Sequence, residues 1–215
     1  MAGEFWGIVG LSLRVTGLAL LLSAALGVPC GAWLGLRRFA GRRAVIALLY
    51  TGMGLPPVVV GLTVYLLLAR QGPLGFLGWL FTPAAMVLAQ TIIAFPVIAG
   101  LTMASVLAVS PELAAQLRTL GAQPAQVLRA YLNEARGGIA VALVAGFGSI
   151  ISEVGAVLLV GGNVRSHTRV LTTAIVLETS QGEFGLALAL GMALLGITFV
   201  INALALHLQS RFAEI

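Results

Sequence analysis

SPELAAQLRTLGAQPAQVLRAYLNEARGG, residues 110–138, is the longest amphipathic stretch in a 215-residue chain that is mostly apolar. Ser110 and Pro111 read as a helix N-cap followed by proline at the first helical position, and Gly121 as the residue that stops that helix. Leu113, Leu117 and Leu120 then share one face at i, i+4 and i+7, which leaves Glu112, Gln116 and Thr119 toward water. A second short helix is predicted from Pro124, with Val127, Leu128 and Tyr131 on its apolar side. Two short helices flexed at Gly121 make a knob, and on either side of the knob the chain turns to hydrocarbon.

Before it lie apolar segments over about residues 8–36, 44–69 and 82–109, and after it segments over about 139–161 and 184–208. A helix needs about 20 residues to cross about 30 Å of hydrocarbon, and each segment is of that order. With 60% of its residues hydrophobic and 9% charged, the chain departs far from the roughly 25% charged content of soluble domains. The expectation is an all-α integral membrane protein of about five transmembrane helices, forming a single domain over residues 1–215. A soluble domain of even about 50 residues has no room between the segments. The second segment is interrupted by GMGLPPVVVG, where Pro56 and Pro57 remove backbone donors and force a bend; Pro96 sits inside the third. These prolines either let the spans line a cavity or serve packing alone. Gly52, Gly54 and Gly61 allow close helix approach.

Arginine placement sets the orientation. RRFAGRR (residues 37–43), the knob and the C-terminus bring Arg37, Arg38, Arg42, Arg43, Arg118, Arg129, Arg136 and Arg211 to one side, against Arg70, Arg165 and Arg169 on the other. Cytoplasmic loops retain the cations, so the N-terminus is expected outside and the C-terminus inside. Arg14, near the outer end of the first span, can snorkel to the interface. The opening MAGEFWG has no basic n-region, so a cleavable signal peptide is not expected. Arginines dispersed along spans and connections, rather than gathered on one soluble face, argue against nucleic-acid binding.

All 12 cations are Arg and all 7 anions are Glu; the chain has neither Lys nor Asp. A standard P-loop uses a Lys on the phosphates and usually an Asp for magnesium, so any ATP hydrolysis of that kind belongs to another chain. One cysteine, Cys30, allows no internal disulfide and reads as helix packing; with His167 and His207 it falls short of a metal-ligand cluster.

SEVGAVLLVGGNVRSHTRVLTTAIVLETSQGEFG, residues 152–185, is the most polar sequence outside the knob. It places Glu153 inside the fourth span, where a charge costs about 2.5–3.5 kcal/mol and is usually paired or turned to a polar cavity. Glu153 is expected either to pair with Arg165 or Arg169 and fix non-helical backbone, or to line the translocation path or gate. For Arg165, His167 and Arg169 two roles stand side by side: structural pairing, or lining a path, because two guanidiniums can hold a tetrahedral oxyanion by directed hydrogen bonds. Residues 161–183 are expected to form a polar re-entrant or gate segment, in which Asn163, Thr168, Thr172 and Thr173 either line a gate or belong to a helix packed on the outer face.

AAQLRTLGAQPAQVLRAYL resembles the coupling segment of ABC importer permeases: an alanine-rich turn, a glycine, then a second short helix. With YTGMGLPPVVVGL and the 152–185 stretch, the resemblance covers nearly the whole chain and implies a type I importer fold. By that resemblance Ala115, Leu120, Gly121 and Ala122, preceded by Glu112, stand at the contact with a cytoplasmic ATPase. The chain departs from the pattern at Ala115, where a glutamate is usual, and at Glu134, where a proline is common. Residues 152–185 are more similar to the tungstate-type permeases than to the broader molybdate and sulfate permeases, which more often carry an acid followed by Phe-Gly and later Asn-Ile-Pro-Gly; here Glu153, Val154 and Gly155 precede GGNVRSHTR. The resemblance implies a second copy of the chain, two ATPase subunits holding ATP and magnesium, an extracytoplasmic oxyanion-binding protein, a prokaryotic cytoplasmic membrane, and no cofactor in this chain. Two rivals stand beside it: a stand-alone anion channel, and an intramembrane hydrolase using Ser149 or Ser152 with His167, although GFGSI around Ser149 is not a G-x-S-x-G elbow.

Overall fold

A computed structural model describes residues 2–213, with side chains described for 3–207. The Arg211 side chain, counted above for orientation, lies outside the described residues. Secondary structure among the described residues is helical throughout: α1 (Ala2–Leu36), α2 (Arg42–Met53), α3 (Pro57–Leu68), a 3-10 turn (Gly75–Leu77), α4 (Pro83–Leu107), α5 (Glu112–Thr119), α6 (Pro124–Glu134), α7 (Arg136–Ile151), α8 (Gly155–Gly161), α9 (Leu171–Ser180) and α10 (Phe184–Ala213). Three helices, α1, α4 and α10, are long and apolar enough to cross a membrane singly. Two bent pairs, α2 with α3 at 99° and α6 with α7 at 63°, bring the number of spans to as many as five.

The α2–α3 bend falls where the sequence removes backbone donors, whereas the α6–α7 bend falls at Ala135, with no proline beside it. Gly54 and Leu55 close the end of α2 through bonds to the Thr51 and Gly52 carbonyls (3.1 and 3.3 Å). Pro57 then starts α3 at a position whose N–H no helix needs. Pro96 behaves differently: α4 runs through it without interruption. The fourth span is likewise divided, because α7 stops at Ile151 and α8 begins at Gly155.

α4 is the centre of the bundle. Met86, Ala89, Ala94, Ile98, Ala99 and Met103 along it are buried completely or nearly so. α1 lies across it through Gly27, Gly31 and Gly35, a glycine at every fourth position and hence on one face. A Cβ at Gly31 would overlap the Ala99 carbonyl oxygen and approach Thr102 Cβ to 2.9 Å, while one at Gly27 or Gly35 would crowd Ile98 or Val106. In hydrocarbon, helices associate by close approach rather than by expelling water, and this stripe supplies the approach. Gly61 does the same for α3 on α8, where a Cβ would meet Ala156 Cα at 2.5 Å, and Gly52 lets α2 reach Pro96. Gly54 meets no such neighbour; its place is in the turn. α10 packs on α9 and α7 and leaves Leu188, Met192, Leu195 and Phe199 exposed along its length.

Replacing Gly31 with Val should lower the unfolding midpoint of the purified chain in detergent by an amount matching about 1–3 kcal/mol of overpacking, with Gly10→Val, whose site is open, as the control that barely moves it.

Candidate functional site

The knob is built as a closed turn. α5 ends at Thr119, Leu120 caps it, and Gly121 turns the chain at φ +80°. The Gly121 N–H donates to the Arg118 carbonyl (3.0 Å) and the Ala122 N–H to the Leu117 carbonyl (2.9 Å), the paired bonds of a Schellman cap. Ser110 lies one position further from the helix than expected, since α5 starts at Glu112; its hydroxyl still accepts the Glu112 N–H (3.3 Å) and donates to the Glu112 carboxylate (2.6 Å). Leu113, Leu117 and Ala122 pack against Ala32, Val106, Val127 and Tyr131, and the Tyr131 hydroxyl donates to the Ser110 carbonyl (3.3 Å).

Leu120 departs from the expected apolar face. It is 83% exposed, because the helix ends before it and the left-handed glycine points the chain back. With exposed Ala115, Glu112 and Gly121 and half-buried Ala122, it forms a small, partly apolar tip at the end of the knob.

The other candidate site joins α8 to α9. Gly162 and Asn163, at φ +69° and +50°, end α8. The Val164 carbonyl then accepts the N–H groups of His167, Thr168 and Arg169 (3.1, 2.9 and 3.1 Å). Thr168 fastens this loop from inside: its hydroxyl donates to the Gly161 carbonyl (2.5 Å) and accepts the Val164 N–H (2.9 Å). Thr173 accepts the Val170 N–H (3.1 Å), Asn163 donates its amide to the Thr173 carbonyl (3.4 Å), and the Leu171 N–H donates to Ser12 of α1 (2.8 Å).

The expected pairing of Glu153 with Arg165 or Arg169 is not what forms. Glu153 is buried, and its carboxylate accepts the Ala156 N–H (2.9 Å), capping α8, while its carbonyl accepts the Thr172 hydroxyl (2.9 Å). The partner of both arginines is Glu4, in the first turn of α1. Arg165 grips it in a bidentate pair (2.8 and 2.6 Å), and Arg169 approaches it at 3.8 Å. The hydrogen bond and charge of Glu4 raise the Arg165 guanidinium above its ordinary pKa. Glu153 has a backbone N–H three residues ahead to satisfy it, which leaves the arginines to a carboxylate 161 residues away in sequence. A cleft of about 400 Å³ opens beside the pair, with Glu178 and Gln181 also in its wall. Arg165 and His167 are exposed, whereas Thr172 and Thr173 are buried with their hydroxyls engaged.

Glu4 and Ser12 carried no motif in the sequence; the one available signal was an acid in the first turn of a helix expected to begin on the outer side. Ser149 and Ser152 both donate to carbonyls within α7 (2.8 and 2.9 Å), and no hydrogen bond joins either to His167 among the described residues. Nor do the described residues gather three His, Cys, Asp or Glu side chains in a metal-holding group.

A helical bundle of broken and unbroken spans, with a capped knob on one face, is the architecture of a multi-pass membrane protein. Residues 27–214 match the family of binding-protein-dependent transport system inner membrane components, and the chain belongs to that family. It is 44% identical over 209 residues to a probable anion ABC transporter permease protein of Haloferax volcanii, covering 95% of this chain and 90% of that one. It is 40% identical over 208 residues to a tungstate uptake system permease protein of Peptoclostridium acidaminophilum, covering 97% and 91%. Among solved structures, a bacterial ABC transporter that imports the acidic polysaccharide alginate superposes with a TM-score of 0.79 at 22% identity, over 97% of this chain and 79% of that one. The fold is therefore that of a type I importer permease.

Thr168→Val should unfasten the α8–α9 loop, leaving the Gly161 carbonyl without the hydroxyl of fully buried Thr168 at a cost of about 1–3 kcal/mol; Thr168→Ser should restore most of it. Thermal unfolding of the three proteins side by side checks the order.

Proposed function

We propose that this chain is the membrane subunit of an ATP-driven importer for tungstate, with molybdate and then sulfate as the alternative oxyanions. The carrying observation is the exposed tip formed by Ala115, Leu120 and Gly121, held out by a Schellman cap. Leu120, 83% exposed at the end of that turn, gives the tip an apolar side chain that a partner's groove can take. The coupling surface of Glu112, Ala115, Leu120, Gly121 and Ala122 is the place for a cytoplasmic ATPase. Two copies of the chain, each on one ATPase, would surround a central path, with an extracytoplasmic binding protein supplying the anion. Closure of the ATPases on ATP draws the two knobs together and opens the path outward; hydrolysis resets it inward. ATP and magnesium stay on the ATPases. The arginine count places the knob inside and the α8–α9 loop outside.

The tungstate reading rests on the Peptoclostridium acidaminophilum relative and on the chemistry of the outer loop. Arg165 and Arg169 converge on one carboxylate, a planar, doubly hydrogen-bonding anion whose place an oxyanion can take. Arg165, His167 and Arg169 thus meet the anion at the outer mouth. Asn163, Glu153, Thr172 and Thr173 hold the backbone that presents them. The break between α2 and α3 lines a cleft of about 260 Å³ with Gly54, Pro56 and Ser149, and gives non-helical backbone a cavity to face.

Two substitutions separate these parts. Gly121→Val forces a β-branched residue to φ +80°, at about 1–2 kcal/mol, with open space around it. It should leave the fold intact and uncouple ATP hydrolysis from uptake; full transport by this variant would remove the coupling role. Arg165→Gln combined with Arg169→Gln should reduce tungstate uptake by about tenfold or more, the loss expected of charge-assisted hydrogen bonds, while ATPase assembly persists. Unchanged uptake would confine the arginines to fastening α1 onto the loop.

A further inference from the structure

A second surface near the knob has a different character from its tip. Between the C-terminal half of α1 and the pair α5 and α6 runs an open groove of about 1030 Å³. Its walls are apolar: Pro29 and Trp33 from one side, Leu128 and Tyr131 from the other. Trp33 and Leu128 are 50% and 41% exposed. Two charges reach into it, Arg37 and Arg118, and no carboxylate lines it among the described residues. Neither guanidinium has a hydrogen-bond or ion-pair partner among the described residues. The first turn of α6, at Pro124 and Ala125, also borders the groove, adding the positive end of a helix dipole. Glu112, Ala115, Leu120 and Gly121 lie outside it and Ala122 borders both, so the ATPase surface and the groove adjoin at one residue and otherwise differ.

We propose that this groove holds an anionic phospholipid of the inner leaflet, its phosphate on Arg37 and Arg118 and an acyl chain along Trp33, Leu128 and Tyr131. Three features select a lipid over a protein segment. The groove opens where a span ends and an interfacial helix begins, the depth at which a headgroup meets hydrocarbon. An indole half-exposed there is the residue type that favours that depth. The charge is of one sign only, complementary to phosphate, and basic pockets between helices on the cytoplasmic side are where anionic headgroups bind. A bound lipid would bridge α1 and the knob, so the anionic content of the membrane would set how firmly the coupling segment is seated. The location on the inner leaflet rests on the orientation given under the proposed function.

The test uses Trp33 as its own probe. In the full chain carrying Trp6→Phe and Trp79→Phe, Trp33 is the remaining indole. Quenching is measured in phosphatidylcholine vesicles containing equal fractions of brominated phosphatidylglycerol or brominated phosphatidylcholine. The proposal expects phosphatidylglycerol to be preferred at Trp33 by about tenfold, a preference that salt weakens. R37Q/R118Q should bring the ratio toward one, while R38Q/R43Q, outside the groove, should leave it. Equal quenching by the two lipids overturns the proposal, and so does the absence of quenching by either, which would mean that protein covers the groove. If R37Q/R118Q does not insert, the ratio and salt dependence of the parent chain decide. Binding of the ATPase to the same vesicles is scored separately. ATPase binding without lipid preference sinks this inference alone, and lipid preference without ATPase binding sinks the coupling reading alone.

Discussion

Every backbone N–H and C=O inside hydrocarbon has to be satisfied by the protein itself, and the structure is organised around the places where an unbroken helix does not do this. Each interruption comes with its own repair. At the α2–α3 break proline has no N–H to satisfy, and Gly54 and Leu55 bond backward. Between α7 and α8 the Glu153 carboxylate takes an orphan N–H of the new helix, and Thr172 takes the Glu153 carbonyl. In the α8–α9 loop the Thr168 hydroxyl serves a donor and an acceptor at once. A buried carboxylate within an apolar span is thereby explained without a charged partner, and the arginines beside it in sequence are left for other work.

α1 ties these pieces together. Its glycine stripe seats it on α4, Ser12 receives the first N–H of α9, and Glu4 closes on Arg165 and Arg169. At its other end Trp33 and Arg37 face the knob across the groove. A single helix thus touches both candidate sites. Arg165 and Arg169 are fastened to one end of the helix whose other end borders the knob.

The apolar segments, the proline break, the two short helices of the knob and the glycine between them were legible in the sequence, because each rests on composition or on spacing within a few residues. Leu120 departs from the helical period because α5 ends at Thr119 and Leu120 is its cap. Glu153 was assigned an arginine because charge suggests charge; its real partner is a backbone N–H three residues on, a capping relation that a broken span allows and a continuous one does not. Glu4 could not be found from local pattern, since 161 residues separate it from Arg165. The spacing of Gly27, Gly31 and Gly35 is visible in the sequence, but its meaning depends on which helix lies across it.

The central claim, that this chain moves an oxyanion only when driven by a separate ATPase, is tested most directly in proteoliposomes. Accumulation of tungstate, delivered with the binding protein, is measured by elemental analysis with and without the ATPase and ATP. Accumulation against a gradient that requires both is the result the account predicts. Tungstate flux through the chain alone, running down its gradient and indifferent to ATP, would contradict it and make the protein a channel.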